Sequence, residues 1–321
     1  MDVDTRYHPN ADQLAVASAV ADSLSDLLPL ARLHAAVQED DAIWSSLREI
    51  GIFGISLAEA QGGSGLGATE EALIVYELGR RLASASVLAT IGAAHVDQAA
   101  GERRVAAAYC HGRRGHGERV IVVGDAAATL LLVRGADDAA LYDAASLDTR
   151  SLDSRLWLAD LREADALGEP LARFDAAGLL RLRLLDAAAL AGVAETALQM
   201  GVDYARLREQ FGRPIGSFQA IKHHCANMAI AARCARDQVS FAAVALDENR
   251  DDAALQVECA LFTAGTAALD NAGKNIQIHG GIGFSDEADP HLLLKRAQVY
   301  IAVAGGLEAS NVRIAQLKPE W

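Results

Sequence analysis

The sequence predicts a mainly α protein with a small β domain in its middle, ordered α, then β, then α, and closing in an antiparallel four-helix bundle. Three observations carry this. Alanine and leucine are abundant while aromatics make up only 5%, and such side chains lose little rotamer freedom in a helix. Between about Glu102 and Asp175 the texture changes to short apolar runs broken by Gly and Asp, the pattern of a sheet. From Leu182 onward, long helical periodicities are separated by short, Gly-rich turns, which fold successive helices back on one another. The implied division is a helical domain over 1–101, a reduced β domain over 102–180 and the bundle over 181–321.

In chain order, the first helix is read from an Asn10 cap to about Ala36, with Leu14, Val16, Val20, Leu24, Leu27 and Leu28 at helical spacing. The second, "DDAIWSSLREI", ends at Gly51, where a left-handed residue costs least. "GSGLG", Gly63 to Gly67, lacks a preceding strand and a full G-x-G-x-x-G, so it reads as a connection and not a nucleotide loop. A third helix follows with acids in its first turn, which suits the positive end of its dipole. The runs "RVIVVG", "TLLLVRG", "ALYDA" and "RLWLADL" supply the strands, and Trp157 in the last reads as a core tryptophan. In the bundle, "LLDAAALAGVAETALQMGVDYARLREQ" stops at a loop enforced by Gly212, Pro214 and Gly216. The next helix carries Phe218, Ile221, Cys225, Met228 and Ala232 on one stripe. "DAALQVECALFTAGTAALDNAGKNIQI" and "HLLLKRAQVYIAVA" complete the set.

With 321 residues, 51% of them apolar, a mean hydropathy of +0.13 and a formal charge of −14, the chain is globular and a poor nonspecific binder of nucleic acid. Its one basic cluster, "HGRRGHGER" at His111 to Arg119, reads as a solvated loop. No apolar run is long enough to cross a membrane and the amino terminus is polar, so the expected location is the cytoplasm. Cys110, Cys225, Cys234 and Cys259 have no paired spacing and read as reduced thiols. The adjacent histidines of "KHHC" diverge by about 100° on a helix, and no metal ligand of the usual kind lies one turn away.

Two stretches interrupt otherwise plain helices. "REQFGRPIGSFQ", Arg208 to Gln219, combines a cation, an amide and an aromatic at a Gly-Pro turn, a set able to clamp a phosphate and stack on a purine. "QIHGG", Gln277 to Gly281, allows close backbone approach to a ligand. Taken alone, both are equally compatible with turn chemistry.

These stretches, extended to "REQFGRPIGSFQAIKHHCANMAI" and "QIHGGIGFSDEADPHLLLKRA", resemble the two signature regions of flavin-dependent acyl-CoA dehydrogenases, as does "LREIGIFGISLAEAQGGSGLGATEEALIVYELGRRLAS" near the amino terminus. The resemblance implies an α–β–α subunit in a dimer of dimers. It places the flavin ring between sheet and bundle, and the adenosine and pyrophosphate of FAD on a neighbouring subunit's bundle. It assigns pyrophosphate and adenine contacts to Arg208, Gln210 and Phe211, with Phe218 beside them, and a second cofactor strip to Gln277, His279, Gly280 and Gly281.

The family deprotonates the α-carbon of an acyl-CoA with a glutamate. Counted forward from Gly281 without gaps, that position is Ala304, in the chemically blank stretch "VYIAVAGGLEAS". The alternative base position of some relatives falls near Leu182, which is also apolar. A stretch resembling "T-E-P-x-A-G-S-D" is missing from the middle domain, where Trp157 could stand only as a remnant. The expectation is a non-catalytic subunit in an α2β2 heterotetramer with a longer acyl-CoA dehydrogenase chain. It would share that partner's FAD, the acyl-CoA sitting in the partner's site. Produced alone, it would form homo-oligomers. Two alternatives stand beside it: a displaced base at Glu308, one helical turn beyond Ala304 on the same face and able to approach a substrate if that helix were shifted, and a flavin-free structural protein of the same fold.

Overall fold

The computed structural model describes residues 8–35, 39–111, 119–125, 127–144, 150–153, 158–163 and 167–317. The cluster of residues 112–118 and Trp157 therefore lie outside the described residues. Helix α1 (Ala11–Leu27) opens on a reciprocal cap in which Asn10 accepts from the Gln13 amide and Gln13 from the Asn10 amide. It ends earlier than the periodicity suggests. Pro29 cannot donate a backbone hydrogen bond, and Leu30–His34 is a separate tight turn. Leu24 and Leu28 are fully buried, whereas Leu14 and Val16 stay exposed. Helix α2 (Asp41–Glu49) is capped by Asp40 and followed by left-handed Gly51 at φ 80°.

Helix α3 (Ala68–Arg80) begins with free backbone amides, and the bundle satisfies them. Asp247, at the end of helix α6 (Gln219–Asp247), accepts from the Ala68 and Thr69 amides at 2.6 and 2.9 Å and from the Thr69 hydroxyl at 2.6 Å. A helix end capped from 178 residues away ties the amino-terminal layer to the bundle. Its flank is locked by glycine: a Cβ on Gly79 would lie 2.1 Å from the carbonyl oxygen of Ala189, so α3 and helix α5 (Ala176–Leu207) meet backbone to backbone. Helix α4 (Ala85–Ala94) has no amphipathic stripe to betray it, because nearly every residue in it is buried.

One sheet of seven strands occupies the middle, in the order β5 (Arg150–Asp153), β6 (Leu158–Glu163), β2 (Arg119–Val123), β1 (Val105–His111), β3 (Leu130–Arg134), β4 (Ala139–Asp143) and β7 (Ala172–Arg173). Strand β1 runs antiparallel to β2 and parallel to β3. Its sequence, "VAAAYCH", reads as helix on propensity, yet Ala106, Ala107 and Ala108 are buried at the centre of the sheet, where tertiary context overrides propensity. Helix α4 packs on it through side-chain hydroxyls: Thr90 accepts from the Val105 amide at 3.1 Å, and Ser86 from the Asp125 amide at 2.7 Å.

The carboxyl-terminal layer consists of α5, α6, α7 (Ala253–His279) and α8 (Pro290–Val303), followed by a short fifth helix, α9 (Leu307–Gln316). Helix α5 starts ahead of residue 181, with Asp175 capping it. Buried Asn271 on α7 donates to the Ala194 carbonyl at 3.1 Å and the Met228 carbonyl at 3.0 Å, clipping three helices together. Of the expected α6 stripe, Met228 and Ala232 are buried and Phe218, Ile221 and Cys225 half-buried. No helix of the described residues is long and apolar enough to cross a membrane.

Glu71, one of the acids in the first turn of α3, does more than complement a dipole. It is buried, accepts from Arg181 Nε at 2.6 Å and from the Ser56 hydroxyl at 3.1 Å, and lies 3.0 Å from His95 Nε2. Burial alone would raise its pKa, but His95 and Arg181 together hold the carboxyl below its ordinary value. The ionised form is thus favoured by folding, so this contribution is full above the unfolded-state pKa and disappears as pH falls through the lowered folded value. Glu71→Gln is expected to cost about 3–5 kcal/mol at neutral pH. The gap from wild type should narrow below about pH 4, as read by denaturant titrations across pH. Asp247→Ala should cost about 2 kcal/mol through loss of the α3 cap, measured as a lower urea midpoint at unchanged slope.

Candidate functional site

Helix α5 gives way at Arg208 to a minimal hairpin of β8 (Glu209–Gln210) and β9 (Arg213–Pro214), with Gln210 opposite Arg213. Its turn residues, Phe211 and Gly212, both adopt left-handed backbone, at φ 55° and 78°. Such a turn suits Gly at the second position, but a bulky aromatic at the first is strained. Phe211 is also 93% exposed, so folding gains nothing from it, and strain of this kind is characteristic of ligand sites. Phe218 stands edge-on to it at 6.1 Å, and the Arg213 guanidinium lies 4.2 Å over the Phe218 ring. The Arg208 side chain has no partner among the described residues, and the Gln210 amide donates only to the neighbouring Glu209 carbonyl. Arg213 was not singled out from sequence, although "FGRPIG" displays it.

The second strip arrives at the same end of the bundle. His279, last residue of α7, stacks on Tyr204 of α5 at 4.0 Å and 24°, one turn before Arg208. A small core of Ala205, Met228 and Ile278 lies beneath. His279 Nδ1 is 2.8 Å from the Asn275 carbonyl oxygen; since that oxygen can only accept, Nδ1 carries the proton and Nε2 is an open acceptor. Burial lowers the His279 pKa against the opposing pull of the Asn275 carbonyl and Asp289, which keeps the imidazole neutral near pH 7. Gln277 is exposed. Gly280, at φ 67°, and Gly281 have open space where a Cβ would project. Arg208, Gln210, Phe211, Phe218, Gln277, His279, Gly280 and Gly281 thus form one surface.

That surface fits the ADP half of FAD in kind: an uncommitted guanidinium for phosphate, an exposed ring for adenine, and unhindered backbone for close approach. When bound, the flavin would supply a hydride acceptor. The residues of this chain would hold its nucleotide end, yet a ring as exposed as Phe211 covers a ligand on one face only. Among the described residues no group of three or more His, Cys, Asp and Glu side chains converges as a metal site, "KHHC" included.

The expected base position is inert in place. Ala304 ends α8, 3% exposed, with its amide bonded to the Tyr300 carbonyl at 2.9 Å. Gly305 and Gly306 then take φ 90° and 87°, and α9 starts on a new axis. This corrects the Glu308 alternative. Ala304 and Glu308 do not share a helix, so no common face exists, and Glu308 is exposed in the first turn of α9. Leu182 and Val303, the residue before Ala304, line one small cavity of about 20 Å³.

Comparison with known proteins agrees with this geometry. Residues 10–105 match the model of the acyl-CoA dehydrogenase amino-terminal domain, and residues 172–316 that of the acyl-CoA dehydrogenase carboxyl-terminal domain. The chain belongs to the acyl-CoA dehydrogenase family. It is 32% identical over 290 residues to acyl-CoA dehydrogenase IpdE2 of Mycobacterium tuberculosis, covering 88% of each protein. Among solved structures it resembles a variant of the Tcur3481-Tcur3483 steroid ACAD, with TM-score 0.77 and 25% identity over 95% of this chain and 97% of that one. It also resembles a chain of the ChsE4-ChsE5 complex from Mycobacterium tuberculosis, with TM-score 0.75 and 23% identity over 97% and 98%.

In this member of the acyl-CoA dehydrogenase family, sheet and bundle meet at buried charge that sequence reasoning missed. Glu258 on α7, with no exposed surface, lies 2.9 Å from Arg183 Nη1 and 2.7 Å from Arg313 Nε, and accepts from the Ser310 hydroxyl at 2.8 Å. Arg183 and Arg313 each also donate to the Ala136 carbonyl in the β3–β4 turn, both at 3.0 Å. Nearby, Arg134 Nη1 lies 2.6 Å from Asp186 Oδ2. The available signal was a single acid inside an apolar helical run, in "LLDAAAL" and "QVECALF".

Two measurements follow from these contacts. Glu258→Gln leaves two guanidinium groups facing a neutral amide and should cost about 3–5 kcal/mol in denaturant unfolding. In an NMR titration of the carbon-bound ring protons, His279 should protonate below its unperturbed value of about 6.5.

Proposed function

We propose that this chain is the non-catalytic subunit of a heteromeric, FAD-dependent acyl-CoA dehydrogenase, presenting Arg208, Gln210, Phe211 and the Gln277–Gly281 strip to flavin bound mainly by a longer catalytic chain. The observation that carries this reading is the pairing of an inert base position with an outward-facing nucleotide clasp. Neither Ala304 nor Leu182 can take a proton, and Leu182 lines a small cavity together with Val303, the residue before Ala304. The clasp, by contrast, has strained Phe211 exposed and Arg208 uncommitted. A one-sided surface is half of a binding site, and a second polypeptide supplies the other half. Support for an unlike partner comes from the two structural relatives named as chain pairs. The name "steroid ACAD" of one supports a steroid side-chain thioester as the substrate of the assembly. The interior supports a stable subunit, with buried ion pairs joining sheet and bundle.

Co-expression with a longer acyl-CoA dehydrogenase chain should yield an assembly with one flavin for each pair of unlike chains. Arg208→Ala combined with Phe211→Ala should lower its flavin content at least about tenfold, read by absorbance against protein concentration. A homo-oligomer of this chain that carries a full flavin complement and oxidises acyl-CoA would refute the reading, and a co-expressed assembly without flavin would favour a purely structural role.

A further inference from the structure

The small cavity next to the Val303–Ala304 end of α8 is lined by Leu88, Leu132, Leu182, Leu185, Tyr300 and Val303, and its charged lining is the Arg134–Asp186 pair. Its volume of about 20 Å³ holds a single water and no hydrocarbon chain. A larger cavity of about 460 Å³ is lined by the β3–β4 turn from Gly135 to Asp138, by Tyr142, Arg173 and Gly305. Among the described residues, Arg134 alone lines both spaces. Its side chain is 7% exposed and is held inward by Asp186, equally buried, one helical turn beyond Leu182 on α5.

We propose that the Arg134–Asp186 ion pair is a bolt that shuts an acyl slot in this chain, so that no fatty or steroid acyl chain can enter beside Ala304. The pair is not explained by stability. A buried ion pair is matched or bettered by apolar side chains of similar volume, because desolvating two charges offsets most of their attraction. Burial in fact pushes the Asp186 carboxyl up from its ordinary pKa, with Arg134 opposing. What charge adds over packing is attraction: Asp186 holds the guanidinium 2.6 Å away, on the residue that lines both cavities, where an aliphatic chain would swing. The bolt presupposes the non-catalytic role proposed above and makes it exclusive, since acyl-CoA is then left to the partner's site.

The test is calorimetric titration of octanoyl-CoA into the full-length purified chain, with free CoA as the blank so that only the acyl group counts. Wild type should show no saturable acyl-dependent heat. Arg134→Ala with Asp186→Ala removes both halves of the bolt and joins the cavities; it should bind one octanoyl-CoA per chain at least about tenfold tighter than wild type. Arg134→Met with Asp186→Leu removes the charges but keeps the volume, and should fold at least as stably as wild type without binding. If the alanine pair does not fold, Arg134→Leu with Asp186→Ala takes its place. Saturable binding of the acyl group by wild type overturns the bolt, as does a folded, opened variant that binds no better. Flavin content plays no part in this readout, so failure of the bolt and failure of the proposed subunit role are distinguishable.

Discussion

A buried carboxylate, Glu258, does most to decide how sheet and bundle sit together. Arg183 from α5 and Arg313 from α9 converge on it, and both turn their remaining donors to the carbonyl of Ala136 in the β3–β4 turn. Three segments distant in sequence are thereby fixed by one anion. Desolvating such a group is costly, and four charge-assisted contacts offset that cost only in good geometry. The sheet cannot shift against the helices without leaving a charge unpaired in the interior.

The same network brings charge between sheet and bundle, where Arg134 pairs with Asp186 and Arg183 with Glu258. The amino-terminal layer is fastened by comparable means, with Asp247 capping α3 and Glu71 holding Arg181 and His95. The carboxyl end of α5 with its hairpin, by contrast, stays outward and exposed.

How much of this was legible depended on whether a residue's role is local. The Asn10 cap, the Gly51 stop and the helices of the bundle follow from short-range rules, and the structure forms them. So does the blankness of Ala304, which needs only a register. Strand β1 was hidden because its alanines favour helix in isolation and become strand only between β2 and β3. Helix α4 was hidden because burial on all sides erases periodicity. The reading of Glu308 failed at Gly305 and Gly306, where two positive φ angles break the helix that an i, i+4 argument assumes. Asp186 and Glu258 were visible as letters, but their partners lie 52 and 55 residues away in Arg134 and Arg313, beyond any local pattern.

The clasp and the slot differ in one physical respect that bears on how such a subunit is used. Interactions made inside the chain at Glu258 are in place before any partner arrives, so they contribute nothing to association. Those at Arg208, Gln210 and Phe211 are unsatisfied in the single chain, and the left-handed Phe211 stores strain that folding does not recover. Their free energy is available only to a ligand or chain that closes over them, and under the proposed subunit role this makes assembly and cofactor retention a single linked equilibrium. In that role the chain's contribution would be read as tighter flavin binding by the assembly.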